Sequence, residues 1–170
     1  MDEKTLKILR LREGGNVRRC HTVPYPGEYT VGKHTFDMLA ILHVLCPKAS
    51  QRLTTAVLLH DVAERYTGDL PGSVVDVDPR LKDSFRAMTR DVERKIGILG
   101  EELRPEERAW LRAIDKVELW MWCHDQLNLG NDHVSGIVAW LEAWFEQEAK
   151  DLPQAVALFL KDYHWERTDG

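Results

Sequence analysis

Long apolar runs are missing from this chain. No stretch approaches the ~20 consecutive apolar residues that a membrane-spanning helix needs. The opening Met1-Asp2-Glu3-Lys4 has none of the apolar character of a secretory leader. Cysteine is scarce: Cys20, Cys46 and Cys123 stand far apart with no Cys-x-x-Cys pair, an odd set that suits free thiols in a reducing compartment. Positive charge is in deficit. With 23 Lys and Arg against 28 Asp and Glu the net charge is −5, so the surface lacks the basic face on which binding of a nucleic-acid polymer rests. A few cations inside one cleft still suffice for a small anionic substrate. Internal repeats, low-complexity tracts, Pro/Gly-rich linkers and period-two alternation are all absent, while 44% hydrophobic and 30% charged residues are globular proportions. The expectation is one cytoplasmic domain over residues 1–170, with neither a membrane nor a nucleic-acid polymer as partner.

What is present is helical periodicity. A short amphipathic opening (Leu6, Ile8, Leu9, Leu11) gives way to a stretch from Arg12 to Gly32 that carries six glycines or prolines and reads as a long irregular loop. Phe36, Leu39, Ala40, His43 and Val44 then predict a helix from Lys33 to Cys46, ended by Pro47. Ser50 is an N-cap for a helix running to about Tyr66, followed by the turn cluster Thr67 to Gly72. Further helices are expected over Pro79 to Leu99, Pro105 to Leu127, Asn131 to Lys150 and Leu152 to Tyr163. The fold class is therefore all-α, a bundle of about six to eight helices.

The anomaly in this pattern is Leu58-Leu59-His60-Asp61-Val62-Ala63-Glu64. The apolar run from Ala56 to Leu59 implies a helix buried nearly all round, yet it leads straight into three ionisable groups. Burial of such groups is costly unless they are paired or bind a metal. His60 and Glu64 share a helical face and Asp61 is adjacent to it. His34 opens the preceding helix, and Asp115, a poor helix former, sits mid-helix between Ile114 and Val117. Two imidazoles and two carboxylates form a mixed nitrogen and oxygen set suited to Mn²⁺, Fe²⁺, Co²⁺, Ni²⁺ or Zn²⁺.

The order His34 … His60-Asp61 … Asp115 resembles the metal signature of the HD-domain phosphohydrolases, which are all-helical. The string from His60 through Glu64 to Gly68-Asp69-Leu70-Pro71 is similar to that of the deoxynucleotide-hydrolysing branch, and Arg19, fifteen residues before His34, matches that branch's phosphate-contacting arginine. The segments Glu13-Gly14-Gly15 and Val31-Gly32-Lys33-His34 look most like those of phage dATP triphosphohydrolases, in which case the compartment would be the host cytoplasm. The resemblance implies metal ligation by His34, His60, Asp61 and Asp115, acid–base roles for Glu64 and Asp69, and substrate binding by Arg19. It implies cleavage between the α-phosphorus and the 5′-oxygen, giving deoxyadenosine and triphosphate from dATP; the alternative is a 5′-deoxynucleotidase acting on monophosphates. Cys20 stands where the branch usually carries an aromatic residue, and Lys33 where it is commonly acidic; Lys33 favours a more highly phosphorylated substrate. Lys116 is a second candidate cation, and Cys20, Thr22 and Tyr25 are the neighbours of Arg19 that could line the pocket.

Other conspicuous residues read more simply. Gly14-Gly15 lacks a P-loop context and reads as a hinge. His43 lies on the apolar stripe of its helix and reads as a core histidine; Cys123-His124-Asp125 and Asn131-Asp132-His133 read as capping or solvated groups, and His164 as exposed. His124, His133 and His164 also fall outside the pattern of extra metal ligands in cyclic-dinucleotide phosphodiesterases. A non-catalytic module would give no reason for Glu64 and Asp69 beside the metal ligands. Trp140 and Trp144, four apart on one helix, suggest a homo-oligomer, a dimer or a hexamer.

Overall fold

A computed structural model describes residues 1–70, 78 and 80–163 of the chain, without the side chain of Lys82. Among the described residues every regular element is helical, as expected. The helices are α1 (Glu3–Gly14), α2 (Val31–Leu45), α3 (Gln51–Leu59), α4 (Glu64–Thr67), α5 (Arg80–Ile96), α6 (Pro105–Asn128), α7 (Ser135–Gln147) and α8 (Gln154–Asp162). A 3₁₀ turn, Asp132–Val134, leads into α7. No helix among the described residues is long and apolar enough to cross a membrane. Pro71, Gly72, Pro79 and His164, each named in the sequence reading, lie outside the described residues.

The helix starts follow from local chemistry. Asp2, Thr30 and Ser50 each accept a hydrogen bond from a backbone N–H three residues on, satisfying a donor that the first turn leaves orphaned. Pro105 occupies the first turn of α6, where its missing N–H costs nothing. Glu107 then accepts from the Arg104 N–H at 2.9 Å, from Ser50 Oγ at 2.6 Å and from Arg52 Nε at 2.8 Å. One buried carboxylate thereby ties the start of α3 to the start of α6.

The longest helix, α6, packs on α2, α3 and α7. Met38 and Leu42 of α2, Leu53 and Val57 of α3, and Ile114 of α6 form one core cluster. Val117, Trp120, Trp122 and Cys123 of α6 pack with Leu141 and Phe145 of α7, Val156 of α8 and Tyr29 in a larger one. A third, smaller cluster joins Val62 to Ile96 and Ile98 at the end of α5.

Several sequence expectations are corrected here. The irregular stretch is shorter than Arg12 to Gly32, because α1 extends to Gly14 and α2 begins at Val31. Its two ends are drawn together by an isolated antiparallel bridge between Arg18 and Thr30. Gly14-Gly15 is not a hinge but a close approach: a Cβ on Gly14 would lie 2.9 Å from Val62 Cγ1, and the Gly32 N–H donates to Gly15 O at 2.9 Å. The helix from Ser50 to Tyr66 is broken between Leu59 and Glu64, so His60 and Asp61 sit at a corner. The run Ala56–Leu59 is not buried all round; Val57 is, while Leu58 is half exposed. On α2 the buried face is Val31, His34, Thr35, Met38 and Leu42, whereas Phe36, Ala40, His43 and Val44 face outward. His43 is thus not a core histidine. Both faces of this helix are apolar at helical spacing, so periodicity alone does not choose between them.

Gly14→Ala is expected to destabilise the fold by about 1–3 kcal/mol through overpacking against the Val62 backbone. Gly136→Ala, in α7 with nothing within 4 Å of the added methyl, should leave stability unchanged or raised. Urea unfolding of the two variants checks this; equal midpoints would remove the close contact.

Candidate metal and phosphate site

Four segments meet at one place. His34 lies in the first turn of α2, fully buried, and His60 with Asp61 forms the corner after α3. Asp115 projects from the middle of α6, and Arg19 comes from the loop between α1 and α2. Here His34 Nε2 is 3.3 Å from His60 Nε2, 3.3 Å from Asp115 Oδ1 and 3.8 Å from Asp61 Oδ2. His60 Nε2 lies 3.1 Å from Asp61 Oδ2. His34, His60 and Asp61 each offer a ligand atom within 4.8 Å of the others. Asp115 joins them through His34 rather than belonging to that tightest group.

The outer ring nitrogens of the two histidines are already committed. His60 Nδ1 lies 2.8 Å from the Val57 carbonyl, which can only accept, so that nitrogen carries the proton. His34 Nδ1 contacts Glu118 Oε2, and the same oxygen accepts from the Tyr29 hydroxyl at 2.6 Å. With both Nδ1 atoms donating, each ring in its neutral form turns an Nε2 lone pair toward the other and toward the carboxylates, and the raised His34 ring shows how strongly that corner holds a proton. Lone pairs so arranged call for a cation between them, and a backbone or carboxylate partner on the outer nitrogen is how proteins orient metal-binding histidines. The residues present fit a divalent metal.

Local charge is balanced by cations. Arg19 is buried; its Nη1 pairs with Asp61 and its Nη2 lies 3.8 Å from Asp115 Oδ1. Burial opposes ionisation of Asp61, but His60 and then Arg19 outweigh it and hold its carboxyl below the usual range. Asp115 is likewise held well down against burial, by Lys116, whose Nζ is 2.7 Å from Oδ2, and by His34 and Arg19. The His34 ring is raised, with burial overcome by hydrogen bonds to Asp115 and Glu118. Glu64 behaves oppositely. Its Oε2 is buried with no hydrogen-bond partner among the described residues, and burial with the adjacent Asp61 charge pushes its pKa up to about 9.

Asp69 anchors the arginine loop. Its Oδ2 accepts the Cys20 N–H at 2.9 Å and lies 3.6 Å from His21 Nδ1. Cys20 adopts φ 51°, a left-handed conformation uncommon for a residue with a side chain, and the Arg19 N–H donates to Tyr29 O at 2.9 Å. Burial raises the Cys20 thiol to about 11, so it stays protonated. Tyr25 donates to Arg19 O at 2.8 Å and packs edge-on against Trp122. Lys116 also lies 5.6 Å from the Trp140 ring centre. Lys33 is exposed and paired with Asp37 within α2, and Thr22 is exposed; neither is brought to the cluster by a hydrogen bond or ion pair among the described residues.

Sequence reasoning missed Tyr29 and Glu118. Glu118 follows Asp115 by one turn in the apolar run Val117 to Cys123, so the argument that singled out Asp115 applies to it equally. Cys123 and His124 are also corrected: both are buried inside α6, with His124 edge-on to Trp120, rather than capping or solvated. Asn131 does cap, accepting from the His133 N–H at 3.2 Å.

Residues 9–165 match the family described as YfbR-like 5′-deoxynucleotidases. Among curated proteins, the chain is 21% identical over 158 residues to the 5′-deoxynucleotidase YfbR of Escherichia coli (strain K12 / DH10B), with 79% of each chain covered. The enzymes of the same name from Salmonella paratyphi B and Salmonella newport match at the same identity and coverage.

Glu118→Ala is expected to weaken Mn²⁺ or Co²⁺ binding by about 10–100-fold, because His34 loses the acceptor that fixes its ring; titration calorimetry measures this, and an unchanged affinity would refute the orienting role. A second expectation concerns pH. Between its ordinary pKa of 4.5 and about 9, folded Glu64 retains a proton that the unfolded chain has released. Its contribution is therefore neutral below the ordinary value and increasingly unfavourable as pH rises. In chelator-stripped protein, Glu64→Gln should melt with the parent near pH 4 and several degrees above it near pH 8. A gap independent of pH would contradict this.

Proposed function

The chain belongs to the YfbR-like 5′-deoxynucleotidase family, and from that premise we propose that it removes the phosphate from deoxynucleoside 5′-monophosphates by hydrolysis of the bond between phosphorus and the 5′-oxygen. It is an HD-domain phosphohydrolase. The observation that carries the reading is the pair of inward-facing Nε2 atoms, 3.3 Å apart, beside Asp61 and Asp115. His34, His60, Asp61 and Asp115 would hold a divalent transition metal, Mn²⁺, Co²⁺, Zn²⁺, Fe²⁺ or Ni²⁺. Such an ion, when bound, supplies Lewis acidity toward a phosphoryl oxygen and lowers the pKa of water.

The chain's own residues do the rest. Arg19 offers a planar fork of donors that suits two phosphate oxygens, and its pairing with Asp61 and Asp115 holds that fork at the edge of the cluster. Lys116 screens Asp115 and adds a second positive charge to the phosphate side. Glu64 is the acid–base residue: its partnerless buried Oε2 is free to bond the attacking water or the departing 5′-oxygen, and its raised pKa lets it hold or release a proton near neutrality. Asp69 keeps Arg19 in place through the Cys20 N–H and has a second oxygen for proton transfer. Cys20, next to Arg19, would line the sugar side, while Thr22 and Lys33, exposed and outside the cluster, would meet a substrate only at its outer edge.

A second reading rests on a cleft of about 1140 Å³ that includes His60 and is lined by Arg52, Arg90, Arg94, Arg108 and Arg112 together with Glu93, Glu101 and Glu102. Distal phosphates lying there would make dATP a substrate for the same cut, with deoxyadenosine and intact triphosphate as products. The preference for adenine rests on the resemblance to the phage enzymes.

Asp61→Ala and His60→Ala are expected to lose both turnover and bound metal, whereas Glu64→Ala should keep the metal and lose about 10²–10⁴-fold in rate. Metal analysis beside an assay on a nucleotide panel checks both, and a metal-free Glu64→Ala protein would make Glu64 a ligand instead. Phosphorus NMR of the products separates the readings. Orthophosphate released only from monophosphates supports the first; tripolyphosphate from dATP supports the second; inertness toward every nucleotide defeats both.

A further inference from the structure

Among the described residues three aromatic side chains stand open to water: Phe36, Tyr66 and Trp140, with Trp140 48% exposed. Phe36 lies on the outer face of α2, away from the buried His34. Tyr66 is covered by Arg65, whose guanidinium turns to Glu13 at 3.3 Å. Trp140, in α7, is placed differently. Lys116 Nζ lies 5.6 Å from its ring centre and 2.7 Å from Asp115 Oδ2, so one side chain touches both the indole and a carboxylate of the metal cluster. Those two contacts bring the ring within a nucleotide's length of Asp115. Trp144, one turn further along α7, is not equally free: it packs against the large core cluster with Arg112 over its ring.

A flat π surface, half open to solvent at the rim of a phosphate site, suits stacking of a nucleobase. The spacing fits a nucleoside monophosphate. With its phosphate against Arg19, Lys116 and the metal ligands, the sugar carries the base away from that corner, as far as the indole stands from Asp115. Lys116 fits the junction between the two ends. Its ammonium offers charge to the phosphate and is itself held against the electron-rich face of the indole. Stacking needs no hydrogen-bonding side chain, and it discriminates by ring area: a purine covers more of an indole than a pyrimidine does.

We propose that Trp140 is the nucleobase platform of the site, the residue on which the base of a deoxynucleoside monophosphate stacks while Lys116 reaches its phosphate. This placement rests on the substrate class proposed above, but stacking is a binding event and is measurable without turnover.

The test compares dAMP, dCMP and 2-deoxyribose 5-phosphate, which keeps the sugar and phosphate and lacks the base, on the parent, Trp140→Ala and Trp140→Phe. In Trp140→Ala the KM for dAMP should rise about tenfold with kcat little changed, and the KM for dCMP should rise less. The penalty should be confined to substrates that carry a base, and Trp140→Phe should recover most of it. Both variants should keep the helical circular dichroism of the parent, because the indole is half exposed. Binding is read separately in chelator-treated protein. There dAMP should quench the tryptophan fluorescence of the parent, 2-deoxyribose 5-phosphate should not, and Trp140→Ala should lose most of the quenching. A KM that rises equally with and without the base would make Trp140 a support for Lys116 and overturn the proposal. Undiminished quenching in Trp140→Ala, or a parent that dAMP does not quench, would overturn it as well. A parent that binds dAMP through Trp140 yet hydrolyses no nucleotide would defeat the hydrolytic reading and uphold the platform.

Discussion

Two imidazole rings that face each other Nε2 to Nε2 in a buried corner need a cation, a proton or a metal, between them. His34 and His60 are held that way because Glu118 and the Val57 carbonyl occupy their outer nitrogens. The inner nitrogens and the neighbouring carboxylates of Asp61 and Asp115 then concentrate electron density in a buried corner, where desolvation is most costly. The positions of Arg19 and Lys116, and the neutral form of Glu64, are responses to that concentration. Arg19 pairs with both aspartates; a divalent cation held there would engage the two Nε2 atoms together with the carboxylates.

The helical scaffold serves this corner in a traceable way. The core shared by α2, α3 and α6 brings His34, the α3 corner and Asp115 to one level, with Ile114 of that core directly preceding Asp115. The capping link from Glu107 to Ser50 and Arg52 fixes the relative height of α3 and α6 at their starts. The break after Leu59 is as important as the helices. A continuous helix would carry Asp61 about 100° around the axis from His60, whereas the corner lets consecutive residues approach the same point.

The arginine loop has its own support. Tyr29, stacked on Trp122 at a centroid separation of 4.2 Å, fastens the loop to α6 while its hydroxyl completes the Glu118 pair. Asp69 reaches back from the turn after α4 to hold Cys20 in its left-handed conformation. The arginine loop and the orientation of His34 are therefore mechanically joined through Tyr29: the residue that packs beneath Arg19 also polarises the acceptor of His34.

Amino-acid order alone determined the helical class, most helix limits to within a few residues, and the identity of the four chemically unusual positions His34, His60, Asp61 and Asp115. Those are local quantities, set by propensity, capping and the cost of placing ionisable groups among apolar neighbours. Glu118 carried the same signal and was passed over, while Tyr29 had none, because its importance comes from partners 5 and 89 residues away. Which side of α2 faces inward, that His60 and Asp61 stand at a corner, and that Asp69 grips a backbone N–H of the arginine loop were decided only when α2, α3 and α6 packed together. A helix with apolar residues on two sides is locally ambivalent. The choice between its faces is made by the shape of what it meets, and that is a property of the assembled bundle.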